Sequence, residues 1–76
     1  VNGQLRQESN TDQLVFKVPE LIAFISKTCT LLPGDIHCTG TPGGVGVFRD
    51  PPVFLKPGDV VEVEVNKLGR LRNTVV

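Results

Sequence analysis

Eight glycines and six prolines cut this 76-residue chain into short pieces, and only residues 18–29 keep a helical rhythm. Proline lacks a backbone donor and glycine loosens the backbone, so neither extends a helix or a central strand. Within that piece Val18, Leu21, Ile22, Ile25 and Cys29 fall at i, i+3, i+4, i+7 and i+11. They form one apolar stripe, with Glu20, Ser26 and Lys27 on other faces. Pro19 suits a first helical turn, where its missing N–H would have no partner, and Glu20 favours the positive end of the helix dipole. The spacing predicts a helix over about 18–30, ended by the turn residues Pro33-Gly34.

Outside the helix the pattern is that of strands and turns. Val61, Val63 and Val65 alternate with Glu62 and Glu64, which predicts a half-buried antiparallel strand. Asn66 to Gly69 then reads as a turn, with the following residues returning as the partner strand of a hairpin over about 59–75. Asp35 to Thr39 reads as a short strand, and Phe48 to Pro52 as irregular because of Pro51-Pro52. Asn2-Gly3 is a strong hairpin turn signal, with Leu5 to Gln7 as the return strand. The first strand of that hairpin would precede Val1, and the chain opens on valine rather than methionine, so a fragment or processed product is expected. The expected class is α+β, mainly β, with residues 1–76 as one unit.

A chain this short buries only about 60% of its unfolded surface. Its helix stripe and strand faces therefore call for a partner surface that one small unit does not fully supply. Composition is that of an ordinary globular chain, 39% hydrophobic and 21% charged. Eight basic and eight acidic side chains balance to zero, so no electrostatic footprint for nucleic acid or an anionic membrane is present. No apolar run approaches membrane-spanning length. Cys29 and Cys38 are compatible with a disulfide, but their apolar neighbours Ile25, Leu31, Leu32 and Ile36 favour buried thiols in a reducing compartment.

Thr39-Gly40-Thr41-Pro42-Gly43-Gly44-Val45-Gly46 is the segment with functional character. Its glycines let backbone approach a ligand, successive N–H groups form an anion-binding nest, and the threonine hydroxyls donate to a carboxylate or enolate oxygen. A plain glycine-rich turn fits the same residues. The spacing is not a dinucleotide fingerprint, and no lysine follows the last glycine as in a Walker loop. His37 is the single histidine, read here as a half-exposed strand residue because no partner acid is specified nearby. Glu62 and Glu64 share a strand face and are read as solvated rather than as metal ligands. Asp12, Asp35 and Asp59 sit at turns, where aspartate has a structural task.

In order, Val1-Asn2-Gly3 with Arg6-Gln7, Asn10-Thr11, Phe16, Val18-Pro19-Glu20-Leu21-Ile22-Ala23 and Leu32-Pro33-Gly34-Asp35 lead to Thr39-Gly40-Thr41-Pro42 with Gly44-Val45-Gly46. Leu55-Lys56-Pro57-Gly58-Asp59 and Val60-Val61-Glu62-Val63-Glu64 follow. This succession resembles the fumarylacetoacetate hydrolase family over almost the whole chain. Val47 to Phe54 is similar to the branch of domain-containing relatives and 2-hydroxyhepta-2,4-diene-1,7-dioate isomerase-like proteins.

The resemblance implies the C-terminal part of a β-rich mixed roll. It implies a metal-dependent enzyme that hydrolyses, decarboxylates or isomerises small oxo-acids or hydroxydienoates through enolate-like intermediates on Mg²⁺ or a similar ion. Its metal carboxylates and its acid–base lid would lie upstream of Val1, so no catalytic or metal residue is assigned within the chain. By the same resemblance Thr41 holds the substrate's carboxylate or oxo group, and Gly40, Pro42, Gly43 and Gly44 shape the loop. Homodimers are the expected assembly, in the cytoplasm, or in mitochondria for a eukaryote. A different class stays open beside it: an inactive truncated module that folds or associates without catalysis.

Overall fold

The computed structural model describes residues 1–76. Two compact units are present, one made of Ser9–Thr41 and the other of Val1–Glu8 with Pro42–Val76.

The first unit is built on helix α1, Val18–Ile25. Pro19 lies in its first turn beside Glu20, as the dipole and the missing proline donor both favour. Lys17 occupies the N-cap without a side-chain cap bond; its ammonium instead donates to the carbonyl of Leu14 at 2.8 Å and to that of Asp12. Asn10 caps the preceding 3₁₀ turn, Thr11–Gln13, by accepting from Asp12 N–H at 3.1 Å. The α-helix stops at Ile25 rather than near residue 30, although turn bonds carry on through Cys29 N–H to Ile25 O at 3.0 Å. Ser26 and Thr28 cause the early stop: their hydroxyls bond the carbonyls of Ala23 and Ile25, both at 3.1 Å, and so compete with the helical ladder.

Beyond the helix, Leu32-Pro33-Gly34-Asp35 forms a tight turn in which Asp35 N–H donates to Leu32 O and Leu32 N–H donates to the Asp35 carboxylate at 2.8 Å. Gly34 takes φ +96° there, which a side chain would resist. The strand expected at residues 35–39 does not form. No backbone bond reaches residues 36–40, and a strand exists only by pairing. The buried thiols are likewise corrected: Cys29 and Cys38 are free and exposed, because no layer covers this face of the unit.

The second unit is organised by an antiparallel hairpin of β1, Val60–Val65, and β2, Gly69–Thr74. Val61 faces Asn73, Val63 faces Leu71, and Val65 faces Gly69, so the valines share one side. Glu62 opposite Arg72 and Glu64 opposite Arg70 share the other. The turn closes with Lys67 at φ +67° and Leu68 N–H on Val65 O at 3.1 Å. A lone hairpin is marginal in water. Here a third segment joins it. Asn2 N–H donates to Val60 O, and Val60 N–H donates to Asn2 Oδ1, both at 2.8 Å. Asn2 Nδ2 also donates to Asp59 Oδ1 at 2.9 Å.

Asn2-Gly3 is the tight turn that its dipeptide predicts, with φ +50° and +76° and Gln4 N–H on Val1 O at 2.9 Å. The return strand at residues 5–7 is absent, since no other segment pairs with that backbone. Lys56-Pro57-Gly58-Asp59 repeats the geometry of the earlier Pro-Gly-Asp turn, with Lys56 N–H on the Asp59 carboxylate at 2.9 Å. Asp59 thus serves two turns at once. The Asn2 hydrogen bond first, and the Lys56 backbone bond second, hold its carboxyl below the usual aspartate range.

No residue of the chain is buried. The accessible surface is 6962 Å², whereas a folded monomer of this mass exposes about 4,500 Å². Phe48 is 87% exposed and Leu68 85%. Each such side chain forgoes most of the roughly 1.5–3 kcal/mol that full burial supplies. No helix is long and apolar enough to cross a membrane.

Three expectations follow. Alone in solution, the 76-residue chain melts broadly and sediments with a concentration-dependent mass, because its open apolar faces self-associate; a sharp, concentration-independent monomeric transition contradicts this. Asn2→Ala lowers the melting temperature of any folded form by about 5 °C. Asp59 has its folded pKa below its unfolded value of about 3.9, so its contribution is present above that pH and is lost as pH falls through the folded value. Asp59→Ala therefore removes part of the acid sensitivity of unfolding, measured by thermal melts between about pH 2 and 7.

Candidate functional site

The loop Thr39–Gly46 crosses the division between the two units, which falls between Thr41 and Pro42. On the first side, Gly40 takes φ +93° in open space. Thr39 lines a concavity of about 290 Å³ with His37, Cys38, Leu31 and the α1 residues Val18, Leu21, Ile22 and Ile25. The helix stripe thus finds its local partners, and those partners include His37. The histidine is exposed and off any strand, which corrects its expected place at residues 35–39.

On the second side the loop lies against residues 6 and 7. Gln7 Nε2 donates to Pro42 O at 2.8 Å. Arg49 Nε donates to Gly44 O at 3.0 Å, and its Nη2 donates to Arg6 O at 2.5 Å. Gly44 has φ +103°, and a Cβ placed on it would stand 2.3 Å from Arg6 O. Only glycine fits that contact. A Cβ on Gly46 would meet Val53 O at 1.9 Å, where Val53 N–H also donates to Gly46 O at 2.9 Å. The two later glycines of the motif are therefore fixed by close backbone approach, while Gly43 lies in open space.

Two carbonyls along this half of the loop are occupied from within the chain. The carbonyls of Pro42 and Gly44 accept from Gln7 and Arg49. The N–H groups of Gly43 and Gly44 donate to nothing in the chain. Two of the three carbonyls from Pro42 to Gly44 are thus occupied, Gly43 O is not, and the open N–H groups suit an anion.

The divalent ion that the resemblance implies does not fit the residues here. No three His, Cys, Asp or Glu side chains come together. Glu64 is paired with Arg70 at 2.5 Å, and Glu62 with Arg72 at 3.6 Å and Arg70 at 3.7 Å. The Glu64 hydrogen bond raises the Arg70 pKa, with both glutamates adding to it. Asp35 and Asp59 close turns, as their positions predict, and Asp12 sits in the 3₁₀ turn that Asn10 caps.

Sequence patterns singled out the loop but not its supports. Arg6 and Gln7 are expected in a short return strand and enter the resemblance without a role, and Arg49 stands two residues before Pro51-Pro52, where an irregular coil is the default expectation. A buried-face pattern cannot find such residues, since their role is to reach carbonyls distant in sequence.

Comparison with known proteins covers the whole chain. The family described as "Fumarylacetoacetate (FAA) hydrolase C-terminal" matches residues 1–76. "Oxaloacetate tautomerase fahd2, mitochondrial" of Xenopus laevis is 63% identical over the whole chain, and "Oxaloacetate tautomerase FAHD2B, mitochondrial" of Bos taurus is 62% identical. "Oxaloacetate tautomerase FAHD2A, mitochondrial" of Homo sapiens is 57% identical. In each case the match takes 100% of this chain and 24% of the relative. No solved structure matches. A family match from first residue to last, on a chain with one α-helix and one β-hairpin, establishes that the chain belongs to the fumarylacetoacetate hydrolase family, within its C-terminal part.

Proposed function

We propose that this chain supplies the substrate-binding loop of an enzyme that interconverts the keto and enol forms of a small 2-oxo acid. The carrying observation is that the Gly43 and Gly44 N–H groups are unengaged while the Pro42 and Gly44 carbonyls are tied up. The names of the relatives support oxaloacetate as the substrate class, and tautomerisation ahead of hydrolysis or decarboxylation as the reaction. Those relatives are about four times longer than the chain, so the remaining machinery is taken to lie on the other segments of such a protein.

Keto–enol exchange removes a proton from the carbon beside the carbonyl and delivers one to the carbonyl oxygen. Negative charge grows on that oxygen as the carbon–hydrogen bond breaks. Donors aimed at the oxygen or at the neighbouring carboxylate lower the barrier, because they bind the charge more strongly as it develops. In this chain the Thr41 hydroxyl and the Gly43 and Gly44 N–H groups are the donors assigned to the task, and Gly40 and Pro42 set the path of the backbone around them. A divalent ion held elsewhere in such a protein would supply Lewis-acid chemistry, and no part of the step is assigned to one within this chain. Its ligands are assigned to residues outside this chain, because the glutamates here are committed to arginines. The relatives' names also support a mitochondrial rather than cytoplasmic setting.

Thr41→Ala, made in a protein of the relatives' length, lowers kcat/KM for oxaloacetate tautomerisation at least about tenfold, equal to roughly 1.4 kcal/mol, while the melting temperature barely moves. Unchanged activity, or a joint fall of activity and stability, returns the loop to a structural turn. The isolated 76-residue chain shows no metal-dependent turnover of oxaloacetate above the uncatalysed rate with Mg²⁺ or Mn²⁺ added. Turnover by that chain overturns the assignment of the metal ligands to other segments and favours ligands within it.

A further inference from the structure

We propose that Arg49 is a positioning residue for the substrate loop, acting together with Gln7, and this rests on the assignment of the loop to substrate binding. Three observations converge. Arg49 follows the 3₁₀ turn Gly46–Phe48 as its C-terminal cap, with its own N–H on Gly46 O at 3.2 Å. Its base is thereby fixed at the end of the loop it serves. Its guanidinium then spans two carbonyls, Gly44 O and Arg6 O, the second belonging to a residue 43 positions earlier in the chain. Gln7, next to Arg6, holds Pro42 O. Residues 6 and 7 therefore form a rail, and the stretch from Pro42 to Gly44 is fastened to it at both ends.

This fastening decides which way two of the loop peptides face. The Gln7 bond to Pro42 O turns the Gly43 N–H of the same peptide the other way, and the Arg49 bond to Gly44 O does the same for Val45 N–H, with the Gly44 N–H held between these two fixed peptides. A peptide that flips by half a turn would present its carbonyl oxygen to an anion instead, and binding would be lost. The half-buried guanidinium suits the task because its planar fork reaches two acceptors at once, whereas a lysine ammonium is a single point of charge on a flexible stem. Gly44 completes the fit, since any side chain there would collide with the Arg6 carbonyl.

Arg49 touches no reacting atom in this scheme, so its effect passes through the loop and must interact with that of Thr41. The experiment is a mutant cycle in a protein of the relatives' length, with oxaloacetate as the probe and tautomerisation rate as the readout. Variants are Thr41→Ala, Arg49→Ala, Arg49→Lys, Gln7→Ala and the Thr41→Ala/Arg49→Ala double. Arg49→Ala is expected to lower kcat/KM about tenfold, chiefly through KM, and Arg49→Lys to restore little of it. Gln7→Ala shows a smaller loss of the same kind, and it carries the comparison if Arg49→Ala does not fold. The double variant is expected to lose less than the product of the two single losses, the mark of residues acting on one element.

Full activity in Thr41→Ala overturns the substrate-loop assignment itself. If Thr41→Ala is impaired while Arg49→Ala and Gln7→Ala are not, the loop binds substrate but these residues do not position it. A double loss equal to the product, or full rescue by lysine, likewise overturns the positioning role.

Discussion

One asparagine holds the strand unit together. Asn2 sits in a left-handed turn that only asparagine, aspartate and glycine adopt cheaply, and from there it makes three bonds to Asp59 and Val60. Its backbone and side chain extend the hairpin ladder by one further contact. Its amide also fixes the carboxylate that closes the Lys-Pro-Gly-Asp turn. This junction ties the start of the chain to the hairpin, and the bonds of Arg6 O to Arg49 and of Gln7 to Pro42 O hold the following residues against the loop. A backbone turn near one end of the sequence thus helps to place the residues that support Pro42 and Gly44.

Much of this was legible in the residues because local rules specify it. Proline at the first turn and the apolar stripe mark α1, valine–glutamate alternation marks β1, and Pro-Gly-Asp and Asn-Gly mark the turns. The irregular course of residues 39–46 was legible for the same reason, as four glycines and a proline within eight residues. Local rules fail where pairing is long-range. Residues 5–7 and 35–39 have strand-like composition, yet no ladder forms, because a strand needs a neighbour that the pattern alone does not provide. The helix end was misplaced because the stripe continues to Cys29 while Ser26 and Thr28 hydroxyls bend the hydrogen bonding away. The Gln7 and Arg49 contacts lay beyond any periodicity, since each joins an irregular segment to another.

The absence of any buried residue has a bearing on function. Binding loops need rigid support, and a chain with no core gives little of it. Rigidity here comes from polar fasteners instead: arginine and glutamine on carbonyls, and aspartates inside turns. Exposed hydrogen bonds of this kind are individually weak. Packing of the open valine face, Phe48 and Leu68 against further surface would exclude water from such bonds and strengthen them. The loop is therefore expected to reach its working geometry in the setting of a longer protein, as in relatives of which this chain covers 24%.

Direct evidence on whether the loop binds an anionic substrate would come from amide spectra of a glycine-labelled protein of the relatives' length, titrated with malonate as a stable dicarboxylate. The N–H resonances of Gly43 and Gly44 are predicted to shift strongly and saturably, and to stop shifting in Thr41→Ala, while Gly69 in the hairpin turn stays unmoved. Saturable binding that leaves Gly43 and Gly44 in place, or that persists unchanged in Thr41→Ala, would contradict the assignment of this loop to the substrate.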